Sequence, residues 1–302
     1  MQNFDLAQTF QLDGLDVRGR LVRLGPTLDQ ILKSHDYPDV VAEMLAETLA
    51  LGATLASILK YDGLFTLQVQ SDGPISLLVA DLTSEGDLRG YARFDADRVA
   101  QAETQEGAKV PRLLGAGHLA FTVDQGPDTE RYQGIVALEG GTLAACAQNY
   151  FRNSEQLETV IFLGSAKSTD GYKSGAVLVQ RMPSDKKKDK DEAHEEWHRT
   201  VVLLSSLKLE ELLDQNLSPQ DMLYRLYHDD GIRAYEPKIL QHKCRCSREK
   251  VATTLKSLPR DEVTGDDGGA LVNCEFCATD YEFTQSDLDA IYGDKIYGTP
   301  KA

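Results

Sequence analysis

Phe65, Leu67 and Val69 alternate with Thr66, Gln68 and Gln70, the period of a strand with one wet face. Ahead of it, Val41, Leu45, Leu49, Gly52, Leu55 and Leu59 recur at helical spacing behind Asp39, a candidate N-cap, and predict one long core helix. VRGRLVRL at 17–24 reads as a strand, and Ser71-Asp72-Gly73-Pro74 supplies a turn before the apolar run Ile75 to Leu82. Leu119, Phe121 and Val123 alternate again, with a partner strand over Ile135 to Leu138. A helix is predicted from Thr142 to Gln156, then strands at 159–166 and 175–182. Strands joined by turn-length connections pair mostly antiparallel, so residues 1–183 read as an α+β domain with helices packed on sheets.

At Met182-Pro183-Ser184 the pattern gives way to DKKKDKDEAHEE, mixed charge that cannot bury much surface. Beyond this boundary Trp197, Val201 and Leu204 share one helical face, and LEELL at 209–213 forms a second apolar patch. Ser218-Pro219-Gln220-Asp221 reads as a helix start, for a helix that carries Met222, Leu223, Leu226 and Tyr227 and stops before Gly231. Residues 184–236 are therefore expected to form a metastable helical linker, its stripes too small for a core of their own. An apolar stripe without a partner does not persist in water, so Trp197, Val201 and Leu204 are expected against the N-terminal domain.

The last 66 residues, 237–302, are thin in apolar positions. Ser247 can cap a helix to about Leu258, DEVTGDDGG must turn, Ala270 to Val272 reads as a short strand, and Ser286 with Asp289 suggests a capping box. A domain of this size buries only about 60% of its unfolded surface and often needs a staple. Cys244, Cys246, Cys274 and Cys277 offer one: a CxC pair, a gap from 247 to 273, and a CxxC pair. Four soft thiolates match a tetrahedral Zn²⁺ site worth ~10 to 16 kcal/mol in apparent folding energy. The CxC half is unusual, since most such sites use CxxC or wider pairs.

Composition narrows the chemistry. A net charge of −16 and the absence of a basic stretch leading into an apolar one point to a cytoplasmic protein with no grip on nucleic acid or anionic membrane. Five cysteines without an export signal belong in a reducing compartment, where clustered thiols bind metal or act as redox groups. Cys146, apart in TLAACAQNY, reads as a small buried hydrophobe. A Cys244–Cys246 disulfide would close a very small ring of oxidising potential, and Cys274–Cys277 a more usual redox loop. Two disulfides would leave no thiolate for zinc, so oxidation, metal loss and unfolding would be one linked event. The competing readings are an inert zinc module that serves a partner-binding adaptor, and a zinc ribbon for nucleic acid, against which the acidity argues. Lys238, Lys243, Arg245, Arg248 and Lys250 form a local basic cluster, either a solvated face or a group that lowers nearby thiol pKa values.

Of six histidines, His242 is two residues from Cys244, yet four cysteines already complete a tetrahedron. His194-Glu195-Glu196-Trp197-His198 spells HExxH, the letters of a metalloprotease helix. That chemistry needs a rigid cleft helix and a third ligand, whereas this stretch follows DKKKDKDE and is expected to be exposed. No Ser-His-Asp grouping, P-loop or GxGxxG is visible, which agrees with a non-enzyme.

HKCRCSREKV and, after the gap, NCEFCATDYEF resemble the zinc redox-switch domain of heat shock protein 33, a family of cytoplasmic, ATP-independent holdase chaperones. DLRGYAR at 87–93, NYFRNSEQLET at 149–159 and LSPQDMLYRLYHDDGIRAYEP at 217–237 extend the resemblance over most of the chain. The resemblance implies that the reduced protein binds one Zn²⁺ through Cys244, Cys246, Cys274 and Cys277 and is inactive. It implies that oxidation under stress pairs Cys244 with Cys246 and Cys274 with Cys277, releases zinc, unfolds the switch domain and destabilises the linker. The active form would dimerise and hold unfolding client proteins.

Overall fold

The computed structural model describes residues 3–126, 129–183 and 190–293, and the chain divides into two compact units at Lys243/Cys244. In the first unit the strands are β1 (Leu6–Leu12), β2 (Val17–Leu24), β3 (Leu64–Ser71), β4 (Ile75–Thr83), β5 (Asp87–Phe94), β6 (Gly117–Asp124), β7 (Tyr132–Ala137), β8 (Thr159–Ser168) and β9 (Gly171–Arg181), with the short β10 (Ile232–Ala234), β11 (Lys238–Ile239) and β12 (Gln241–His242). Its helices are α1 (Pro26–Leu32), α2 (Asp39–Ala56), α3 (Ala96–Glu103), α4 (Lys109–Leu113), α5 (Leu143–Tyr150), α6 (Lys190–Ser205), α7 (Leu209–Leu212) and α8 (Pro219–Tyr227). One sheet runs β10-β1-β2-β9-β8, with β11 also on β1; the other runs β12-β5-β4-β3-β6-β7. Pairing is antiparallel throughout except where β12 joins β5 in parallel. The mixed α and β architecture with packed helices is the one expected from sequence.

The long helix is α2, and it lies between the two sheets. Its side chains join Val22, Ile161 and Leu178 of the first sheet and Phe65, Leu67 and Val69 of the second in one buried cluster. That is why the helix is apolar almost all round, with every residue from Ala46 to Ala56 buried. Asp39 is its first helical residue rather than its cap, a place taken by Pro38. Close approach of α2 depends on a glycine in β5. A Cβ on Gly90 would stand 2.6 Å from the Val79 carbonyl and 2.9 Å from Leu49 Cδ2. Gly90→Ala is expected to cost about 1 to 3 kcal/mol, read as a lowered Tm of the first unit; an unchanged Tm would contradict this packing.

The first sheet is buried on both faces, which explains the unbroken apolar run GAVLV in β9. Ala176 and Leu178 are buried on the α2 side, Leu178 within its cluster. Val177 and Val179 join Leu6, Phe10, Leu12, Val17 and Leu21 beneath Trp197, Leu204, Leu212, Met222, Leu223 and Tyr227 of the linker helices. Trp197 and Leu204 are buried and Val201 is half-buried, so the predicted stripe does pack on the N-terminal sheet. The linker stripes, read as too small for a core, share one with the sheet.

Three local differences have physical causes. The helix expected over Thr142 to Gln156 ends at Tyr150, continues as a π-helical turn over Phe151–Glu155, and stops at Gln156 in the left-handed region, φ 55°. Residues 237–243, grouped by sequence with the cysteine segment, pair through β11 with β1 and through β12 with β5. Gln241 Nε2 and Lys243 Nζ fix that crossing by donating to the two carboxylate oxygens of Asp87, at 2.7 and 2.8 Å. The charged run 184–189 lies outside the described residues.

The second unit contains α9 (Arg248–Lys256), α10 (Arg260–Val263), the hairpin β13 (Ala270–Asn273) and β14 (Asp280–Phe283), and α11 (Gln285–Tyr292). Ser247 caps α9 as predicted, its hydroxyl accepting from Lys250 N. The second capping box sits two residues earlier than expected, on Thr284 and Asp287. Burial of Phe283 closes β14 there, and Asp289 instead accepts from Arg260 at 2.6 Å. Its fully buried core is Leu255, Phe283 and Leu288, rimmed by partly buried Val251, Val272, Tyr281 and Ile291.

Candidate metal centre

Cys244 and Cys246 lie in the extended stretch that leads into α9, and Cys274 and Cys277 lie in the turn between β13 and β14. The turn is tight. Cys277 N and Ala278 N donate to the Cys274 carbonyl at 3.2 and 2.8 Å, Cys274 N donates to Thr279 O at 3.0 Å, and Ala278 takes φ 52°. A left-handed residue one place past Cys277 curls the backbone so that both thiols of the pair turn inward.

All four sulfurs lie within 4.8 Å of one another, with Cys244 and Cys274 at 3.8 Å and Cys246 and Cys277 at 3.4 Å. A Zn–S bond of about 2.3 Å sets tetrahedral sulfurs roughly 3.8 Å apart. The donor set and its spacing therefore fit a tetrahedral soft cation. None of the four is joined to another. Burial first, then crowding by the other three sulfurs, pushes the Cys246 thiol up to about 12, against a hydrogen bond from Tyr281; burial likewise raises Cys274. Four thiolates this close need a positive charge among them to stay ionised.

Four of the five basic residues nearby have partners of their own. Lys243 is spent on Asp87, Lys238 on the Ser84 carbonyl, Lys250 on the Arg245 carbonyl, and Arg248 on the Glu282 carbonyl and Asp287. Cys146 is buried in α5, its thiol pushed up to about 11 by desolvation, as befits an inert core residue. On α6 the exposed side carries His194, Glu195 and His198 while Trp197 faces the sheet. Among the described residues the only candidate metal group is the four cysteines, so neither those histidines nor His242 joins one.

Two hydroxyls at this centre were not singled out by sequence. Tyr281 Oη donates to Cys246 Sγ at 3.1 Å, and Thr279 Oγ1 lies 3.2 Å from Cys277 Sγ. The signal was present in the strand period, since residues 279 and 281, two apart along β14 and its approach, project to one side.

A family model described as Hsp33 protein matches residues 5–284. A 33 kDa chaperonin of Azotobacter vinelandii is 39% identical over 306 residues, spanning 100% of this chain and 99% of that one. Another, from Caulobacter vibrioides, is 38% identical over 288 residues, 92% of this chain and 94% of that one. The crystal structure of a 33 kDa chaperonin (heat shock protein 33 homolog) from Thermotoga maritima superposes with a TM-score of 0.78 at 23% identity, covering 97% of this chain and 99% of that one, a likeness of fold.

Proposed function

Because the chain belongs to the Hsp33 family, we propose that it is a redox-regulated, ATP-independent holdase that keeps unfolding proteins from aggregating under oxidative stress, and not an enzyme. The observation that carries this reading is the convergence of four cysteine sulfurs, none in a disulfide, within 4.8 Å in a unit whose buried core, among the described residues, is three side chains. In the reduced, inactive state Cys244, Cys246, Cys274 and Cys277 hold one Zn²⁺. The bound ion keeps the sulfurs as thiolates and ties the CxC segment to the β13–β14 turn.

Oxidation by hydrogen peroxide joins Cys244 to Cys246 and Cys274 to Cys277. Forming each disulfide removes two electrons from a pair of thiolates and reduces one peroxide, with two protons drawn from solvent, to two waters. Sulfurs tied in disulfides no longer hold a cation, and the second unit then lacks the core to stay folded. Chain continuity carries that loss into the crossing strands 232–243 and the linker helices. The apolar face of β1, β2 and β9, covered in the reduced state by Trp197, Leu204 and Tyr227, becomes the client surface. The active form is a homodimer, and the protein works in the cytoplasm, where thiols are otherwise kept reduced. No described helix is long and apolar enough to cross a membrane, and the net charge of −16 gives nucleic acid no electrostatic purchase.

The test compares reduced and peroxide-treated protein at raised temperature. Metal release is followed with a chromogenic chelator, client aggregation by light scattering, and reversal with dithiothreitol. Peroxide is expected to free one zinc per chain and to confer client protection that dithiothreitol abolishes. Equal protection by both forms would sink the switch, and zinc loss without protection would leave a zinc-stabilised adaptor.

A further inference from the structure

The CxC pair has a hydroxyl aimed at one of its two sulfurs. Tyr281 Oη donates to Cys246 Sγ at 3.1 Å; Cys246 Sγ in turn lies 3.4 Å from Cys277 Sγ, which lies 3.2 Å from Thr279 Oγ1. The contacts form a polar seam across both cysteine pairs. Tyr281 is held in place from both ends. Its backbone pairs with Val272 across the hairpin, and its half-buried ring packs on the cluster of Leu255, Phe283 and Leu288. A ring fixed in this way brings its hydroxyl to the sulfur at no further cost in side-chain order.

The geometry points to Tyr281 as a positioning residue that sets how readily the Cys244–Cys246 pair is oxidised. This rests on the redox-switch reading above. Oxidation begins when a sulfur lone pair attacks a peroxide oxygen: the S–O bond forms, the O–O bond breaks, and hydroxide leaves, giving a sulfenic acid. The partner thiol then attacks that sulfur, forming the disulfide and expelling the second oxygen as water. A hydrogen bond donated to Cys246 engages the density that must attack, and it stabilises the reduced pair over the disulfide, which accepts a hydrogen bond only weakly. Tyr281 therefore raises the peroxide threshold of the switch.

The experiment uses the full-length, reduced, zinc-loaded chain. Free thiols are counted by alkylation and mass spectrometry at intervals after hydrogen peroxide, in wild type and in Tyr281→Phe, which keeps the ring and removes only the donor. Oxidation of Cys244 and Cys246 is expected to run roughly three- to tenfold faster in Tyr281→Phe, the range that the net contribution of one ordinary hydrogen bond supports. Should Tyr281→Phe lose its metal or its fold, 3-fluorotyrosine at 281 keeps the shape with a stronger donor and is expected to slow oxidation, a direction that packing alone does not produce. Wild-type rates in a folded Tyr281→Phe and in the fluorotyrosine protein would overturn the role of Tyr281 and leave the switch standing. Wild-type thiols that never form disulfides under peroxide would overturn both.

Discussion

Removing the metal from the reduced full-length chain with a chelator is expected to melt residues 244–293 while strands β1 to β9 stay folded. Among the described residues the second unit has Leu255, Phe283 and Leu288 as its buried core. Its one hairpin, β13–β14, is two-stranded and therefore marginal in water by itself. Against this small core stands an apparent metal contribution of ~10 to 16 kcal/mol near neutral pH, comparable with the whole net stability of an ordinary domain. The sign with pH follows from the ligands. Protons compete with the metal for the thiolates, so the contribution is present at neutral pH and falls away as pH drops. Amide resonances of 244–293 should collapse to random-coil positions on chelation, with those of β1 to β9 unmoved. A second unit that kept its amide dispersion without metal would refute this, and would leave oxidation with nothing to unfold.

How much of this was legible from the chain depends on whether one segment carried its own signal. The four cysteines did, because ligand type and spacing are local facts; so did β3, whose outer face is wet, and α8, which carries serine, proline and aspartate at its first turn. Strand β1, LAQTFQL, was not read at all. Both its faces are occupied, with Ala7 packed toward α2 and Leu6, Phe10 and Leu12 toward the linker, which blurs the alternation. The pairing of 232–243 with β1 and β5 was not legible for a related reason. Strands of two or three residues have no periodicity, and their partners on β1 and β5 are more than 150 residues away. The linker stripes were visible, but their partner was the second face of a sheet whose first face already accounted for the apolar residues.

Replacing Arg23 with methionine is expected to detach α7 and α8 from the sheet while the metal is still bound. Arg23 stands on β2 two places after Leu21, on the strand face that meets the linker, and it is fully buried. Nη1 donates to the carbonyls of Leu217 at 2.6 Å and Asp214 at 3.2 Å, and Nη2 to that of Glu211 at 3.1 Å. Phe4 stacks its ring 5.7 Å from the guanidinium carbon. Burial lowers the pKa to about 10, so the charge is held at neutral pH but with little water around it. Its fork answers the Asp214 and Leu217 carbonyls of the loop after α7 and adds to the backbone bonds that the Glu211 carbonyl already accepts, at the end of a helix where a cation is favoured. Methionine has similar volume and no donor, so the Asp214 and Leu217 carbonyls would lose their partner, about 1 to 3 kcal/mol for each acceptor left unsatisfied and roughly 3 to 5 kcal/mol together. That is comparable with what a four-residue helix and a short loop gain by docking, so the linker should open rather than strain. Amide exchange over 209–227 should accelerate about a hundredfold for 3 kcal/mol. The single tryptophan, Trp197 on neighbouring α6, should shift its emission to the red as its cover loosens. If the sheet face under the linker is the client surface, Arg23→Met should protect clients with all four cysteines reduced and zinc in place. Unchanged exchange and emission would mean that apolar burial alone holds the linker down. Faster exchange without client protection would place the client surface elsewhere.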